Sequence, residues 1–148
     1  MKKVDDLDIQ ILKILRRNCK LSYRQIAKEL NIATNTVKKR IERLEDEGII
    51  KRYSATIDFG LLGYGLTAFV GIRCKRSDVS RIAEQLSKIP NVFGTYIVTG
   101  EFDIVVSCSF TDLDELNKFI TTELSDPAIE TTNTFIVLQT IKETHTFF

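Results

Sequence analysis

The sequence predicts an α+β protein of two domains, and three observations support this prediction. Apolar residues recur at helical spacing up to residue 48 and at strand spacing from residue 66. Glycines cluster between them, at positions 60, 63 and 65. Residues 1–58 hold 14 Lys/Arg against 9 Asp/Glu, whereas residues 59–148 hold 7 against 11. We therefore predict a basic domain over residues 1–58, a linker over 59–65 and an acidic domain over 66–148.

The first predicted helix begins after Asp5 or Asp6, either of which can cap it, and ends near Arg17. Its apolar face is formed by Leu7, Ile11, Leu12 and Leu15. The face repeats every three to four residues, so the helix has one side to bury against other helices.

Residues 22–48 contain two further short helical patterns separated by a turn at Asn31-Ile32. The first pattern places Ile26, Ala27 and Leu30 on one face, and the second does the same for Val37, Ile41 and Leu44. Gly48 is placed to end the third helix. Two amphipathic helices joined by a tight turn are typical of a helix-turn-helix DNA-binding motif.

The polar face of the third helix is the candidate DNA-binding surface. Its small polar residues can meet phosphates or bases, and its cations follow at spacings that align them along a groove. We expect either Thr34 or Asn35 to cap the helix. The predicted DNA contacts are Thr34, Asn35, Thr36, Lys39, Arg40 and Arg43. The alternative is an ordinary amphipathic helix pair with a solvated basic face.

The stretch from Ile49 to Asp58 predicts a short strand with basic residues at its start, which would form a wing beside the helices.

The residue pattern of the second domain predicts the element order βαββαβ. Strand-like alternation over residues 66–75 precedes a helix that Ser77 can cap and Pro90 stops. A hairpin follows, with its turn at Gly100-Glu101 and strands at 92–99 and 102–110. Thr111 or Asp112 then caps a helix with Leu113, Leu116, Ile120 and Leu124 inward, before a last strand over about 130–142. This order is the ferredoxin-like fold, in which both helices cover one face of an antiparallel sheet.

The other sheet face is predicted to be apolar. If Ile104, Val106, Cys108, Ile136 and Leu138 face the helices, alternate residues face away from them. An apolar face that the domain's own helices leave uncovered favours a symmetric homodimer. The predicted interface residues are Phe69, Val105, Val137 and Ile141, with Phe135 on the same face.

Nearly the whole chain resembles the Lrp/AsnC family of feast/famine transcriptional regulators. The resemblance is carried by LDIQILKIL, by Ser22–Gly48 followed by Ile49-Ile50, and by TGEFDIVV and TFIVLQTIKE, in that order. One departure is Ala33, where the family usually has Ser or Thr; the capping role would then move to Thr34.

The resemblance implies a winged helix-turn-helix domain and a ligand-sensing domain that dimerises and assembles further, commonly into octamers. It also implies an effector amino acid bound between dimers. The implied effector contacts are Gly100, Glu101, Phe102, Asp103, Leu113, Thr134, Phe135 and Ile136. From the residues alone, a hairpin turn with solvated acids is the favoured explanation of the Gly-Glu-Phe-Asp segment, and the family resemblance reverses that preference.

Other classes of function are disfavoured by composition. Three widely spaced cysteines and one histidine indicate neither a disulfide framework nor a metal site, and no cofactor is expected besides the small effector. No apolar run is long enough to span a membrane, so we expect a cytoplasmic protein. Two alternatives stay open: an architectural DNA-coating protein without effector, and an enzyme. The acids at 101, 103, 112 and 114 have no histidine near them in sequence, which disfavours catalysis.

Overall fold

The computed structural model describes residues 4–55 and 57–142. They form two compact units: residues up to 55 belong to the first, and residues from Ile57 onward belong to the second. The limits proposed above for the domains and for a linker at 59–65 stay predictions.

The first unit contains the three predicted helices, α1 (Asp6–Arg17), α2 (Tyr23–Leu30) and α3 (Thr34–Asp46). Two of them begin with a capping box, in which the cap side chain and the third helical residue satisfy each other's backbone amides. Asp5 caps α1 and Ser22 caps α2. The α2–α3 turn passes through Asn31 in the left-handed conformation, at φ 53°.

The apolar faces of these helices meet in one core, as predicted. The buried core residues are Ile11, Ile14, Leu15, Ile26, Ala27, Val37 and Ile41. Since all three helices contribute to it, the core fixes the position of α3 in the unit.

The predicted wing strand over 49–58 is wrong for the described part of that stretch, residues 49–55 and 57–58, where no strand forms. The amides of Ile49 and Ile50 both donate to the Leu44 carbonyl and close the end of α3 instead. A strand needs a neighbour to pair its backbone groups, and the described residues of the first unit contain no other strand.

The second unit begins with a short 3-10 turn, Gly60–Leu62, and continues with the predicted βαββαβ order. The elements are β1 (Leu66–Cys74), α4 (Val79–Leu86), β2 (Val92–Ile97), β3 (Ile104–Phe110), α5 (Leu113–Thr122) and β4 (Ile129–Ile136). The strands form one antiparallel sheet in the order β2-β3-β1-β4. This confirms the ferredoxin-like fold.

Both helices of the second unit pack on one face of the sheet. Alternate residues of β1 and β3 enter a single core with α4 and α5. The core includes Val70, Ile72, Val106, Phe110, Ile82, Leu86, Leu116 and Phe119. No helix among the described residues of this unit lies over the opposite face, which is called the open face below.

One of the two helix caps in this unit differs from expectation, and the other agrees with it. α4 has Asp78 at its cap, not Ser77, and the Ser77 hydroxyl donates to the Asp78 carboxylate instead. Asp112 caps α5 by accepting from the Glu115 amide. This leaves Leu113 on the first turn at 60% exposure, so its predicted inward position is wrong, and Phe119 is buried in the core.

The last strand is shorter than predicted because its partner ends. β4 pairs only with β1, and Ile136 lies opposite Ala68 near the first residue of β1. Val137 adds one more bond to the Thr67 carbonyl. Leu138, predicted to face the helices, lies beyond the strand and is 96% exposed.

Candidate nucleic-acid interface and effector loop

The exposed side of α3 carries the predicted DNA contacts. Thr34, Asn35 and Lys39 are exposed, and Thr36 is half-buried beside them. The predicted cap is wrong: α3 begins at Thr34 with Ala33 as its cap residue, so no side chain caps the helix. Thr34 and Asn35 already have helical backbone, and the first-turn amides of α3 lack the side-chain acceptor that α1 and α2 possess.

The two predicted arginines of α3 are not free. Arg40 Nη1 donates to Asp8 Oδ1 at 3.0 Å and also to Asp5 Oδ2. Arg43 Nη2 donates to the second Asp8 oxygen, Oδ2. We call these four residues the acid–arginine cluster. It joins the start of α1 to the middle of α3 with two negative and two positive charges.

Asp8 is the buried centre of the acid–arginine cluster, with no exposed side-chain surface. Burial and the nearby Asp5 charge would raise the pKa of this carboxyl, but hydrogen bonds from the Asp5 amide and the two arginines outweigh them and lower the pKa below its usual value. The pKa of Asp5 falls to about 2, because Arg40 and the Asp8 amide both donate to its carboxylate. Both acids are therefore ionised at neutral pH.

The cluster lines one side of a shallow cavity along α3. The cavity has a volume of about 350 Å³ and is bounded by Asp5, Thr36, Lys39, Arg40 and Arg43. All but Asp5 are predicted DNA contacts. Asp5 and Asp8 were not predicted as members of this surface. Asp8 nevertheless precedes Ile11 by three residues and Leu15 by seven, so it lies on their apolar helix face. An acid on an apolar helix face is a signal that a buried partner exists.

The predicted effector loop joins β2 to β3 and is attached to the end of β1. Gly100 has φ 119°, a conformation that side chains rarely adopt. The Asp103 carboxylate accepts from the Cys74 amide at 3.0 Å, and its own amide donates to Ile72. The Arg73 guanidinium donates to the Glu101 carbonyl at 2.9 Å. The loop is thus held rigidly, and Asp103 has a structural role.

Phe102 carries the loop onto the open face. Its ring lies over Gly71 of β1, where an added Cβ would be 2.6 Å from a ring carbon. The same ring meets Phe135 of β4 edge to face, with centroids 6.3 Å apart. Gly71 is therefore needed so that Phe102 can pack against the sheet.

Of the remaining predicted effector residues, Phe135 meets the loop through Phe102, whereas Leu113 does not join it within one chain. β3 runs seven residues from the loop to α5, so Leu113 lies at the other end of the sheet, about 20 Å away. Thr134 and Ile136 pair with Val70 and Ala68, whose side chains face the helices. Phe135 pairs with Phe69 on the open face. One copy of the chain does not assemble the full set.

The open face carries apolar and polar residues side by side. Phe69 is 43% exposed, and Val105 is half-buried on the same face. Ser107, which pairs with Phe69, and Ser109 are buried on β3, and Thr67 hydrogen-bonds Ser109 at 3.0 Å. Of the other predicted dimer residues, Val137 is half-buried just past β4. Ile141 lies further on and is 83% exposed.

The described residues hold neither a candidate metal cluster nor a helix that could span a membrane. No group of three or more His, Cys, Asp or Glu side chains in the described ranges is arranged to hold a metal ion. Within the same ranges, no helix is long and apolar enough to cross a membrane.

The chain matches two family models and curated regulators along most of its length. A winged helix-turn-helix DNA-binding model matches residues 4–51, and the Lrp/AsnC ligand binding domain matches residues 67–147. An uncharacterized HTH-type transcriptional regulator of Pyrococcus furiosus is 39% identical over 141 residues, 95% of each chain. The HTH-type transcriptional regulator FL11 of Pyrococcus horikoshii is 38% identical over 95% of this chain and 93% of that protein.

Solved structures agree with the sequence comparisons. AsnC of E. coli superposes with a TM-score of 0.89 at 27% identity, over 96% of this chain and 97% of that chain. A transcriptional regulator of Neisseria meningitidis, solved in complex with L-methionine, gives a TM-score of 0.92 at 28% identity, over 98% and 96%. The chain belongs to the Lrp/AsnC family and is a transcriptional regulator with a helix-turn-helix DNA-binding domain and a ligand-binding domain.

Proposed function

We propose that the protein binds specific DNA sequences and that a small effector, an amino acid, changes its assembly or its DNA affinity. The observation that carries the proposal is the cationic cavity along the exposed side of α3, in a chain whose relatives are transcriptional regulators. Exposed cations and small polar groups on one helix match the phosphates and base edges of a major groove.

On α3 we assign two kinds of contact. Thr34, Asn35 and Thr36 lie at the start of the helix, the part that reaches base edges in helix-turn-helix proteins. Lys39, Arg40 and Arg43 are assigned to phosphates or guanines.

The open face of the sheet is proposed as a homodimer interface. It exposes Phe69, Phe135 and Tyr96 at 43%, 51% and 50%. Val105, Val137 and Ile141 complete the proposed contact. A two-fold dimer would present two α3 helices to half-sites about one helical turn apart. Assembly beyond the dimer, up to an octamer, is proposed from the family resemblance.

The effector site is proposed to lie between copies, because one chain separates Leu113 from the loop by the length of β3. The loop Gly100–Asp103 would approach Leu113 or the β4 residues Thr134, Phe135 and Ile136 of another copy. Asp103 uses Oδ2 to accept the Cys74 amide, and we assign Oδ1 to the ammonium group of the amino acid. A related structure holds L-methionine, which supports an amino acid as ligand class.

The experiment combines DNA selection with effector titration on the full chain. Rounds of selection from a random duplex library should enrich one sequence, and thermal-shift screening of the common amino acids should identify a stabilising ligand. Asp103→Asn keeps an oxygen for the Cys74 amide but removes the charge. The substitution should lower the affinity for the identified amino acid ten- to a hundred-fold in calorimetry, corresponding to roughly 1.5–3 kcal/mol of binding free energy.

Glu123→Gln, an exposed acid in the same unit, is the matched control and should leave the affinity unchanged. Equal effector affinities in wild type and Asp103→Asn would place the pocket elsewhere. No enriched sequence and no stabilising amino acid would favour the architectural DNA-coating protein.

We propose no catalytic activity. Two of the acids near the effector residues have structural partners: Asp112 caps α5 and Asp103 holds the Cys74 amide. For its place in the cell we propose the cytoplasm, which holds the chromosome in archaea and bacteria such as the sources of the relatives above.

A further inference from the structure

The acid–arginine cluster on the DNA-facing side of the first unit contains two carboxylates in different surroundings. Asp8 is fully buried and bonds both arginines, whereas the Asp5 side chain is 46% exposed and bonds Arg40 alone. We propose that the two acids have opposite effects on DNA binding. Asp8 is a positioning residue for Arg40 and Arg43, and Asp5 is a carboxylate that a DNA phosphate displaces from Arg40.

The hydrogen bonds of Asp8 support its positioning role. Each of its oxygens accepts from a different arginine, Oδ1 from Arg40 and Oδ2 from Arg43, and Oδ2 also accepts the Asp5 amide. Because Asp8 has no exposed surface, DNA cannot reach it and the two bonds remain in the complex. These bonds hold both guanidinium groups in fixed positions beside α3, so that less side-chain entropy is lost when DNA binds.

The Asp5 carboxylate occupies the position beside Arg40 that a DNA phosphate would take. It borders the same cavity as Lys39, Thr36 and the two arginines, and among the described residues that line this cavity it is the only acid. Its Oδ2 atom accepts from Arg40, whereas its Oδ1 atom accepts the Asp8 amide as the cap of α1. A phosphate oxygen can replace Oδ2 on the arginine, since both are anionic acceptors.

The charges in the cluster explain why this exchange matters. Two arginines and two aspartates sum to zero, so α3 presents less positive charge to DNA than its sequence suggests. Lys38 is also paired, with Glu42 at 3.7 Å. In free protein Asp5 repels an approaching phosphate. Removing its charge while keeping its cap should leave Arg40 paired with Asp8 alone and raise the net charge of the cluster from zero to +1.

Asp5→Asn is the decisive variant, because asparagine is as good a helix cap as aspartate. Asp6→Asn is the matched control: Asp6 is exposed, adjacent, in the same helix turn and loses the same charge. Affinity for one selected duplex is measured for both variants over a series of salt concentrations. Asp5→Asn should bind about five-fold tighter than Asp6→Asn at low salt, the effect of one unit charge about 4 Å away in water. Its salt dependence should be steeper by about 0.9 in the log–log slope.

Asp8→Asn tests the positioning role. With the acid gone, the arginines gain net charge but lose their fixed place. Salt dependence should therefore steepen while the preference for the selected duplex over random DNA falls at least ten-fold. If Asp8 were needed only for stability, its substitution would lower the affinity for the selected duplex and the affinity for random DNA by the same factor. If this variant does not fold, as judged by circular dichroism, the Asp5→Asn comparison alone decides the proposal.

The inference rests on the proposed function, in which α3 faces DNA, and Lys39→Ala separates the two. If Lys39→Ala does not weaken binding, the assignment of α3 fails. If Lys39→Ala weakens binding but Asp5→Asn and Asp6→Asn bind alike, the assignment of α3 stands and the exchange at Asp5 is overturned.

Discussion

The two units differ in how much of a binding site one chain can complete. In the first unit, the side chains along α3 are positioned by α1 of the same unit, through the buried carboxylate of Asp8. In the second, the predicted effector loop and Leu113 lie at opposite ends of the sheet. The proposed DNA-binding surface is therefore built within one copy, whereas the proposed effector site needs another copy.

The two units also treat buried polar groups differently. Asp8 is buried at 0% exposure with two cations beside it, so the stability of the first unit depends on keeping these charges paired. The second unit buries uncharged hydroxyls on its open face, Ser107 at 3% and Ser109 at 7% exposure. Uncharged groups can be covered by a second sheet at lower desolvation cost than ions. This favours the open face as a surface that becomes fully buried.

The largest expected effect comes from placing a charge on the open face. Phe69→Asp would bury a carboxylate without an opposite charge in the proposed dimer, at a cost of about 3–5 kcal/mol per buried charge. Sedimentation should show monomers, and calorimetry should show loss of effector binding because the site needs a second copy. Phe69→Leu is the control and should stay dimeric. A monomeric Phe69→Asp variant that still binds the effector would break the comparison between the units.

A medium effect is expected at the contact between the loop and the sheet. Gly71→Ala would place a methyl group 2.6 Å from the Phe102 ring, so the ring must move off the open face. Such overpacking costs about 1–3 kcal/mol of folding stability. We expect a lower melting temperature together with weaker effector binding, measured by calorimetry on the full chain.

Gly65→Ala is the control for this substitution. No heavy atom lies within 4 Å of a Cβ built at Gly65, just before the same strand, so stability should be unchanged or slightly higher. Equal melting temperatures for the two variants would show that Phe102 adapts freely and that Gly71 is not required.

The sequence predicted most of the fold because its helices and strands follow local patterns. Helix α1, the β1 alternation and the hairpin around Gly100 all depend on neighbours within a few residues. The missed features depend on distant partners: the wing strand found none in the described residues, and β4 ends where β1 begins. The partners of Arg40 and Arg43 were missed for the same reason, since Asp8 is 32 and 35 residues away.

The smallest expected effect concerns the start of α3, where the sequence pattern pointed to a cap that the structure lacks. Ala33 has φ −69° and ψ 138°, close to the −69° and 155° of Ser22, which caps α2. A serine fits this backbone without strain and can accept an amide of the first turn. Ala33→Ser should therefore stabilise the first unit by about 1 kcal/mol.

Ser22→Ala is the mirror-image control, because it removes a cap of the same kind and should cost a similar amount. For a unit of this size, such a change moves the melting temperature by roughly 4–8 °C in scanning calorimetry. A gain at residue 33 that matches the loss at residue 22 would show that the start of α3 is limited by a missing acceptor. No change at residue 33 beside a clear loss at residue 22 would show that water satisfies those amides equally well. The first-turn amides of α3 would then need no anion as an acceptor, and the contacts of this turn with DNA would depend on side chains alone.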